Sequence, residues 1–164
     1  MALKDNYIVQ NQADIPAPFN KLIPEYFQAW DNPHSKDEEW IKFFSPNGVT
    51  KFGGHVLQGY DALRAMRAGF IDPVEGPVVQ CKHTLKTCWM LAGGSEKDTY
   101  SFLFKSSIWY RLVNGQKIDA ECVSYMKMVE TGKDEWRAIE YEVFMSSFEV
   151  FDAIKAMVAT QSTK

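Results

Sequence analysis

The sequence predicts an α+β domain in which three N-terminal helices pack on a long, curved antiparallel sheet and a short helix closes the chain. Two observations lead to this prediction. Up to Phe70, apolar residues recur at the spacing of amphipathic helices, whereas beyond Pro77 four long segments are rich in β-branched and aromatic residues. A chain of 164 residues is the size of one domain. Because a long, bent sheet with helices across its mouth forms a cone, the sequence predicts an internal pocket.

Three helices are predicted in the first half of the chain. The first, at about Phe19–Trp30, has its apolar residues three and four positions apart. Ser35 is the predicted N-cap of the second helix, with an acid three residues later, and the buried side of that helix extends to Phe44. The third helix is expected at Tyr60–Phe70, after an irregular hairpin at Val49–Val56.

The second half is predicted to be a meander of four antiparallel strands, separated by glycine-containing turns such as Asn114-Gly115. These strands are Val78–Leu91, Thr99–Val113, Lys117–Val129 and Glu135–Met145. A last helix is expected at about Phe148–Val158. Residues 1–15 are polar and without pattern, so we expect a flexible arm or a contact with a partner subunit, and one domain at 16–160.

Composition and charge exclude several classes of function. The net charge of -3 comes from interspersed acids and bases, which gives no basic surface for nucleic acid. No apolar run approaches the ~20 residues of a membrane span, and the N-terminus lacks a signal-peptide core. Cys81, Cys88 and Cys122 are odd in number, and the first two are expected on opposite faces of one strand, so free thiols in the cytoplasm are predicted. No metal-ligand spacing and no phosphate-binding glycine loop occur, so neither a metal nor a cofactor is expected.

Alternation along the strands selects the side chains that face the inside of the cone. The predicted inner residues are Cys81, His83, Leu85 and Thr87 in the first long strand, Phe102, Phe104, Ser106 and Ile108 in the second, Ala120, Cys122, Ser124, Met126 and Met128 in the third, and Ile139, Tyr141, Val143 and Met145 in the fourth. Glu121 then faces outward, and Arg64 and Arg67 are expected to be surface charges. The simplest alternative is that all inner residues only pack a core.

Asp31 and His83 are the candidate acid–base pair. Asp31 ends an aromatic-rich helix, and His83 lies on a half-apolar strand. If the helix end lies over the sheet, the carboxylate fixes the imidazole tautomer and makes the ring a general base at neutral pH. The alternatives are a solvated Asp31 and a core histidine that is satisfied without any catalytic role.

The chain resembles the NTF2-like superfamily, which includes SnoaL-like cyclases, ketosteroid isomerases and scytalone dehydratase. The resemblance covers roughly residues 16–155 and rests on the element order together with a few local sequences. These are Phe27-Gln-Ala-Trp-Asp31 leading into Asp37-Glu-Glu-Trp40, Leu57-Gln-Gly59-Tyr-Asp-Ala-Leu63, His83, and Glu135-Trp-Arg137. The resemblance implies a cone-shaped fold, and the superfamily combines that fold with many different activities and with none.

Scytalone dehydratase is the member most useful for comparison. The resemblance places Asp31 and His83 where that enzyme has an acid and a histidine. Trp30 and Phe52 stand in place of two tyrosines that hold a catalytic water there. The second histidine is replaced by Ser106 or Ser107, depending on register, and a serine and an asparagine by Cys122 and Ser124. These departures argue against direct water-assisted dehydration of the same substrate.

The resemblance and the residues together imply a cofactor-independent isomerase, cyclase or lyase acting on a small, apolar polyketide, terpenoid or alkaloid intermediate. His83 takes a proton, Asp31 orients it, and Tyr141 or Ser124 donates a hydrogen bond to a developing oxyanion. The expected apolar walls are Trp30, Phe52, Phe102, Phe104 and Met126, with Ser106 and Cys122 beside them.

Two alternatives to this function stay open. The first is a non-catalytic module that binds a ligand or dimerises, and the second is a dehydratase with relocated water-binding groups. A homodimer or homotrimer is expected in either case, because Trp109, Val123 and Tyr125 otherwise expose aromatic and apolar area.

Overall fold

A computed structural model describes residues 7–91, 98–146 and 148–161 of the chain. Four helices pack on one six-stranded sheet, which confirms the predicted α+β class. The helices are α1 (Phe19–Asp31), α2 (Asp37–Ile41), α3 (Gly59–Phe70) and α4 (Glu149–Gln161). The strands are β1 (Phe44–Phe52), β2 (His55–Gln58), β3 (Val78–Met90), β4 (Thr99–Leu112), β5 (Lys117–Gly132) and β6 (Glu135–Met145). None of the helices in these ranges is long and apolar enough to cross a membrane.

The sheet has the order β2-β1-β6-β5-β4-β3. Strands β3 to β6 form the predicted antiparallel meander, and β1 and β2 form a hairpin. One pair differs from the prediction, since β1 runs parallel to β6, with Thr50 opposite Tyr141. A parallel neighbour requires a long crossover, which α3 and the three following strands provide.

The boundary between α2 and β1 differs from the sequence prediction. The helix begins at Asp37 after Lys36, which caps it without a side-chain hydrogen bond, so the predicted Ser35 cap is wrong. The backbone N–H of Ser35 instead donates to Asn32 O at 3.0 Å within a turn. The helix ends at Ile41, and Phe44 starts β1 because its backbone pairs with β6.

Bulges shift the side chains that face inward. Between Leu85 and Thr87 the register against β4 changes, so Cys88 is buried and Thr87 is not, contrary to the prediction. Cys81 and Cys88 therefore lie on the same face, and both are free thiols. A second bulge leaves Ile139 as the extra residue of β6.

Helices α1 and α3 lie over the concave face of the sheet because each has one apolar side. Two clusters of buried residues fill the space beneath them. One is built around Phe19, Phe27 and Phe102 under α1, and the other around Phe70 and Val78 next to α3 and α4. Residues that contact both clusters mark the position of the site, and they are Trp30, Met66 and Val143.

The N-terminal segment, defined here as Tyr7–Asn11, packs on its own domain. Tyr7 and Val9 are buried, and the backbone N–H of Gln10 donates to Lys86 O at 2.8 Å. This packing differs from the flexible arm expected for residues 1–15, and the alternative expectation that the arm contacts a partner subunit stays a prediction. Residues 1–6 of that arm lie outside the described ranges.

Candidate active site

Asp31 and His83 meet beneath the end of α1, because this helix end lies over the sheet, the condition on which the candidate pair depended. Asp31 is the last residue of α1, and His83 lies on the inner face of β3. His83 Nδ1 is 2.6 Å from Asp31 Oδ1, and the backbone N–H of His83 donates to Oδ2 at 2.6 Å. Both residues are only 6% exposed. Opposite an ionised carboxylate Nδ1 carries the ring proton, which makes Nε2 the basic nitrogen.

Two further donors contact the Asp31 carboxylate. The Tyr7 hydroxyl donates to Oδ2 at 2.9 Å, and the Cys81 thiol lies 3.7 Å from Oδ1. Burial, reinforced by the charge of Asp31, raises the pKa of the Cys81 thiol, so the thiol stays protonated. A buried carboxylate costs little only when hydrogen bonds replace its hydration, and these donors meet that requirement.

Arg67 is a buried residue that the sequence reasoning placed on the surface. Its side chain is 5% exposed, and Nη2 donates to the carbonyl oxygens of Trp30 at 3.1 Å and Asn32 at 2.9 Å. The guanidinium also lies over the rings of Trp30 and Trp40, and burial lowers its pKa. Arg67 thereby satisfies carbonyl groups at the end of α1, where Asp31 lies. The burial of Arg67 could have been predicted from its spacing of four residues from Leu63, since both residues lie on the buried side of α3.

A narrow apolar cavity opens next to His83. Its lining residues are Trp30, Phe44, Thr50, Phe52, Leu63, Met66, Phe70, His83, Ile108, Tyr110, Cys122, Tyr141 and Val143. The cavity has a volume of about 20 Å³, room for about one water molecule. Entry of an organic molecule therefore requires the side chains that line it to move. Within the described ranges, no group of three His, Cys, Asp or Glu side chains is arranged to hold a metal ion.

Comparison with known proteins identifies the architecture. No protein-family model matches the chain, and no curated protein matches it significantly. Several solved structures do match over most of their length. A hexachlorocyclohexane dehydrochlorinase, LinA-type3 from Novosphingobium barchaimii, has a TM-score of 0.66 at 11% identity, with 80% of this chain and 86% of that chain covered. The protein has the NTF2-like fold.

Two further NTF2-like structures extend the comparison. A candidate scytalone dehydratase from Novosphingobium aromaticivorans has a TM-score of 0.65 at 11% identity, covering 79% of this chain and 83% of that chain. The CaMKII hub of S. rosetta has a TM-score of 0.62 at 13% identity, covering 80% of this chain and all of the hub chain. Similarity at this level of identity establishes the fold and leaves the activity to the residues of the site.

Tyr141 supplies a hydroxyl to the wall of the NTF2-like cavity. The hydroxyl lies 3.3 Å from Ser124 Oγ and is also hydrogen-bonded to Tyr26. Burial raises the pKa of Tyr141 to about 12, although the bonds with Ser124 and Tyr26 act in the opposite direction. At neutral pH this group is therefore a hydrogen-bond donor and not a base. Sequence reasoning missed Tyr26, whose place in α1 indicated only a core residue.

The other predicted site residues divide into two groups. Trp30, Phe52 and Cys122 line the cavity. Phe102, Phe104 and Met126 do not, because they fill the end of the cone under α1, where the rings of Phe19 and Phe102 are 4.8 Å apart and those of Phe27 and Phe104 are 6.0 Å apart.

The structure also decides the register that the sequence left open. Ser106 and not Ser107 faces inward, fully buried, with its hydroxyl 3.1 Å from Cys122 Sγ. Ser106 and Ser124 therefore bond to residues of the cavity wall and are not themselves in it. Glu121 faces outward as predicted and is paired with Lys86 Nζ at 2.7 Å.

Proposed function

We propose that this protein is a cofactor-independent isomerase, cyclase or lyase that works by acid–base chemistry. The observation that carries the proposal is the buried Asp31–His83 pair, whose imidazole lines an apolar cavity. A histidine held by a carboxylate in a dry site is the usual form of a general base at neutral pH. The similarity in fold to proteins named as a dehydrochlorinase and a candidate dehydratase supports a reaction of this class.

The proposed reaction begins when Nε2 of His83 removes a proton from a carbon atom next to a carbonyl group. The electron pair moves to the carbonyl oxygen, and the Tyr141 hydroxyl, which donates to Ser124 Oγ in the structure, turns to donate a hydrogen bond to the resulting oxyanion. Asp31 balances the charge of the imidazolium that forms. Return of the proton at another carbon gives an isomerase, attack of the enolate within the molecule gives a cyclase, and loss of a leaving group gives a lyase.

The proposed substrate is a small, largely apolar natural-product intermediate of the polyketide, terpenoid or alkaloid type. Aromatic and aliphatic side chains provide most of the cavity wall, so a polar or charged substrate would lose its hydration without replacement. Because the cavity of about 20 Å³ is smaller than any such molecule, binding must displace wall side chains. Met66 is suited to this movement because methionine is unbranched and flexible.

Carbon–hydrogen exchange tests the proposal without knowledge of the natural substrate. A panel of small cyclic ketones and enones is incubated with the protein in D2O, and deuterium uptake next to the carbonyl is read by mass spectrometry. The wild-type protein is expected to accelerate uptake for at least one compound. His83→Ala is expected to lower that acceleration by about 10²- to 10⁴-fold, the usual contribution of a general base.

His34→Ala is the matched control, because His34 is exposed and is not one of the residues that line the cavity. It should exchange deuterium at the wild-type rate. Asp31→Asn should be impaired as well, because an amide cannot balance the imidazolium charge. Exchange that is equal in wild type and His83→Ala, or no exchange with any compound, would contradict the proposal.

A second candidate function is a non-catalytic assembly module. Two observations favour it, the nearly filled cavity and an outer sheet face that carries Trp109, Val123, Tyr125 and Phe144, the last 52% exposed. The similarity in fold to a CaMKII hub is in line with self-association. On this basis we expect a homodimer or homotrimer that is formed through the outer sheet face.

Light scattering after size-exclusion chromatography measures this assembly. Val123→Lys places a charge in the centre of the outer sheet face and is expected to give a monomer. Val56→Lys is the control, since Val56 is 69% exposed on β2 and should leave the mass unchanged. A wild-type protein that elutes as a monomer, or a Val123→Lys variant that keeps the wild-type mass, would argue against the assembly.

A further inference from the structure

One hydrogen bond to Asp31 comes from outside the helices and the sheet. The Tyr7 hydroxyl donates to Oδ2 at 2.9 Å, and this contact is buried, with Tyr7 only 5% exposed. Tyr7 takes no part in the proposed proton transfer. The contact connects the N-terminal segment Tyr7–Asn11 directly to the carboxylate that holds His83.

Three hydrogen bonds fix the position of this segment against β3. The backbone N–H of Gln10 donates to Lys86 O at 2.8 Å. The Asn11 side chain pairs with both backbone groups of Cys88, as Nδ2 donates to the carbonyl oxygen at 2.6 Å and Oδ1 accepts from the N–H at 3.1 Å. Lys86 and Cys88 follow His83 on the same strand. The segment and the imidazole are thus held by one element, which leaves Tyr7 little freedom relative to Asp31.

The two oxygens of Asp31 have different neighbours. Oδ1 contacts the imidazole at Nδ1, whereas Oδ2 accepts hydrogen bonds from Tyr7 and from the backbone N–H of His83. Donors on Oδ2 stop the carboxylate from rotating and draw part of its negative charge away from Oδ1. Burial, together with the charge of Asp31, raises the pKa of Tyr7, so its hydroxyl remains a donor throughout the neutral range.

We propose that Tyr7 is a positioning residue for the Asp31–His83 pair, and that docking of the N-terminal segment sets the strength of the hydrogen bond between Asp31 and His83. The importance of this role for turnover rests on the proposed function. The effect on the imidazole itself does not, because it follows from the contacts of Tyr7 with the carboxylate.

The test is nuclear magnetic resonance of the protein with ¹⁵N-labelled histidine, which observes the proton on His83 Nδ1. Tyr7→Phe keeps the buried ring and removes only the hydroxyl. With one donor lost from Oδ2, Oδ1 becomes a stronger acceptor, and the Nδ1 proton signal is expected to move downfield. Tyr125→Phe is the matched control, because the Tyr125 hydroxyl contacts Ser101 on β4 and lies away from the pair.

Asn11→Ala is the second variant and loosens the segment without changing Tyr7. A smaller downfield movement is expected, and this variant decides the question if Tyr7→Phe does not fold. An Nδ1 proton signal that stays at its wild-type position in the folded variants would overturn the inference. Because the measurement requires no substrate, a shifted signal in a protein without exchange activity would sink the proposed function alone.

Discussion

Arg67 supports the candidate site without lining the cavity. Its guanidinium donates to two carbonyl oxygens at the end of α1 and lies over the rings of Trp30 and Trp40. Burying a charged group is costly, so its net contribution depends on how completely its hydrogen bonds compensate for lost hydration. The orientation of the Asp31 side chain depends on the position of this helix end. The packing of Arg67 is thereby connected to the geometry of the acid–base pair.

At the residue scale we expect Arg67→Met to lower the free energy of unfolding by about 1–3 kcal/mol, because two carbonyl groups lose their partner. Urea denaturation measures this change. Arg64→Met is the control, since Arg64 makes surface ion pairs with Asp37 and Asp61 and a contact with the Tyr60 ring, and should change stability by less than about 1 kcal/mol. Equal effects of the two substitutions would mean that burial of the Arg67 charge cancels its hydrogen bonds.

At the scale of the elements, the close approach of β1 and β6 depends on Gly48. A Cβ at this position would lie 2.9 Å from Ala138 O, next to the point where the register of the two strands shifts. We expect Gly48→Ala to lower the free energy of unfolding by about 1–3 kcal/mol, as overpacking usually does.

Gly69→Ala is the opposite case in α3. A Cβ there meets no atom within 4 Å, and alanine favours the helix, so stability should rise by about 0.5–1 kcal/mol. Chemical denaturation of both variants under one set of conditions gives the comparison. If Gly48→Ala raised the free energy of unfolding as Gly69→Ala does, the strands near Ala138 would have adjusted to the added Cβ at little cost.

The order of the elements was predictable because each has a clear local signal. Helix α1 shows its apolar period, and the turn Asn114-Gly115 separates β4 from β5. The start of β1 at Phe44 was not predictable, because a strand beside β6 is decided by pairing with residues almost a hundred positions later. The bulge after Leu85 leaves no local signal either, and it turned Cys88 inward in place of Thr87.

The same limit applies to the site. Spacing placed Asp31 at the end of a helix and His83 on the inner face of a strand, but the contact between them depended on the helix end lying over the sheet. The contribution of Tyr7 could not be predicted, because a single tyrosine in a polar stretch shows no periodicity. The prediction that Phe102 and Phe104 of β4 face inward was correct. Alternation along a strand does not show, however, which part of the cone stays open.

At the scale of the whole molecule, the buried thiols connect stability to pH. Burial raises the pKa of Cys81, Cys88 and Cys122, in Cys88 to about 12. In the unfolded chain a thiol ionises at about pH 8.5. Above that pH the unfolded state binds fewer protons than the native state, so the free energy of unfolding falls as pH rises towards 12. Below about pH 8 the thiols are protonated in both states, so they do not make the free energy of unfolding depend on pH.

We therefore expect stability measured by urea denaturation to decline steadily between about pH 8.5 and pH 11. Cys88→Ala should be less stable at neutral pH because of the cavity left, yet it should show a shallower decline. A thiol reagent should label the unfolded protein readily and the native protein slowly. A flat profile up to pH 11, or fast labelling of the native protein, would contradict the burial of these groups.

The N-terminal segment has a consequence for solubility that is separate from its contact with Asp31. Strand β3 lies at one edge of the sheet and is 13 residues long, and an open edge of this length invites pairing with another molecule. Gln10 and Asn11 occupy backbone groups of this edge at Lys86 and Cys88. The opposite edge, β2, has only four residues and offers little to pair with. Loss of the segment would thus convert a protected border of the sheet into a template for aggregation.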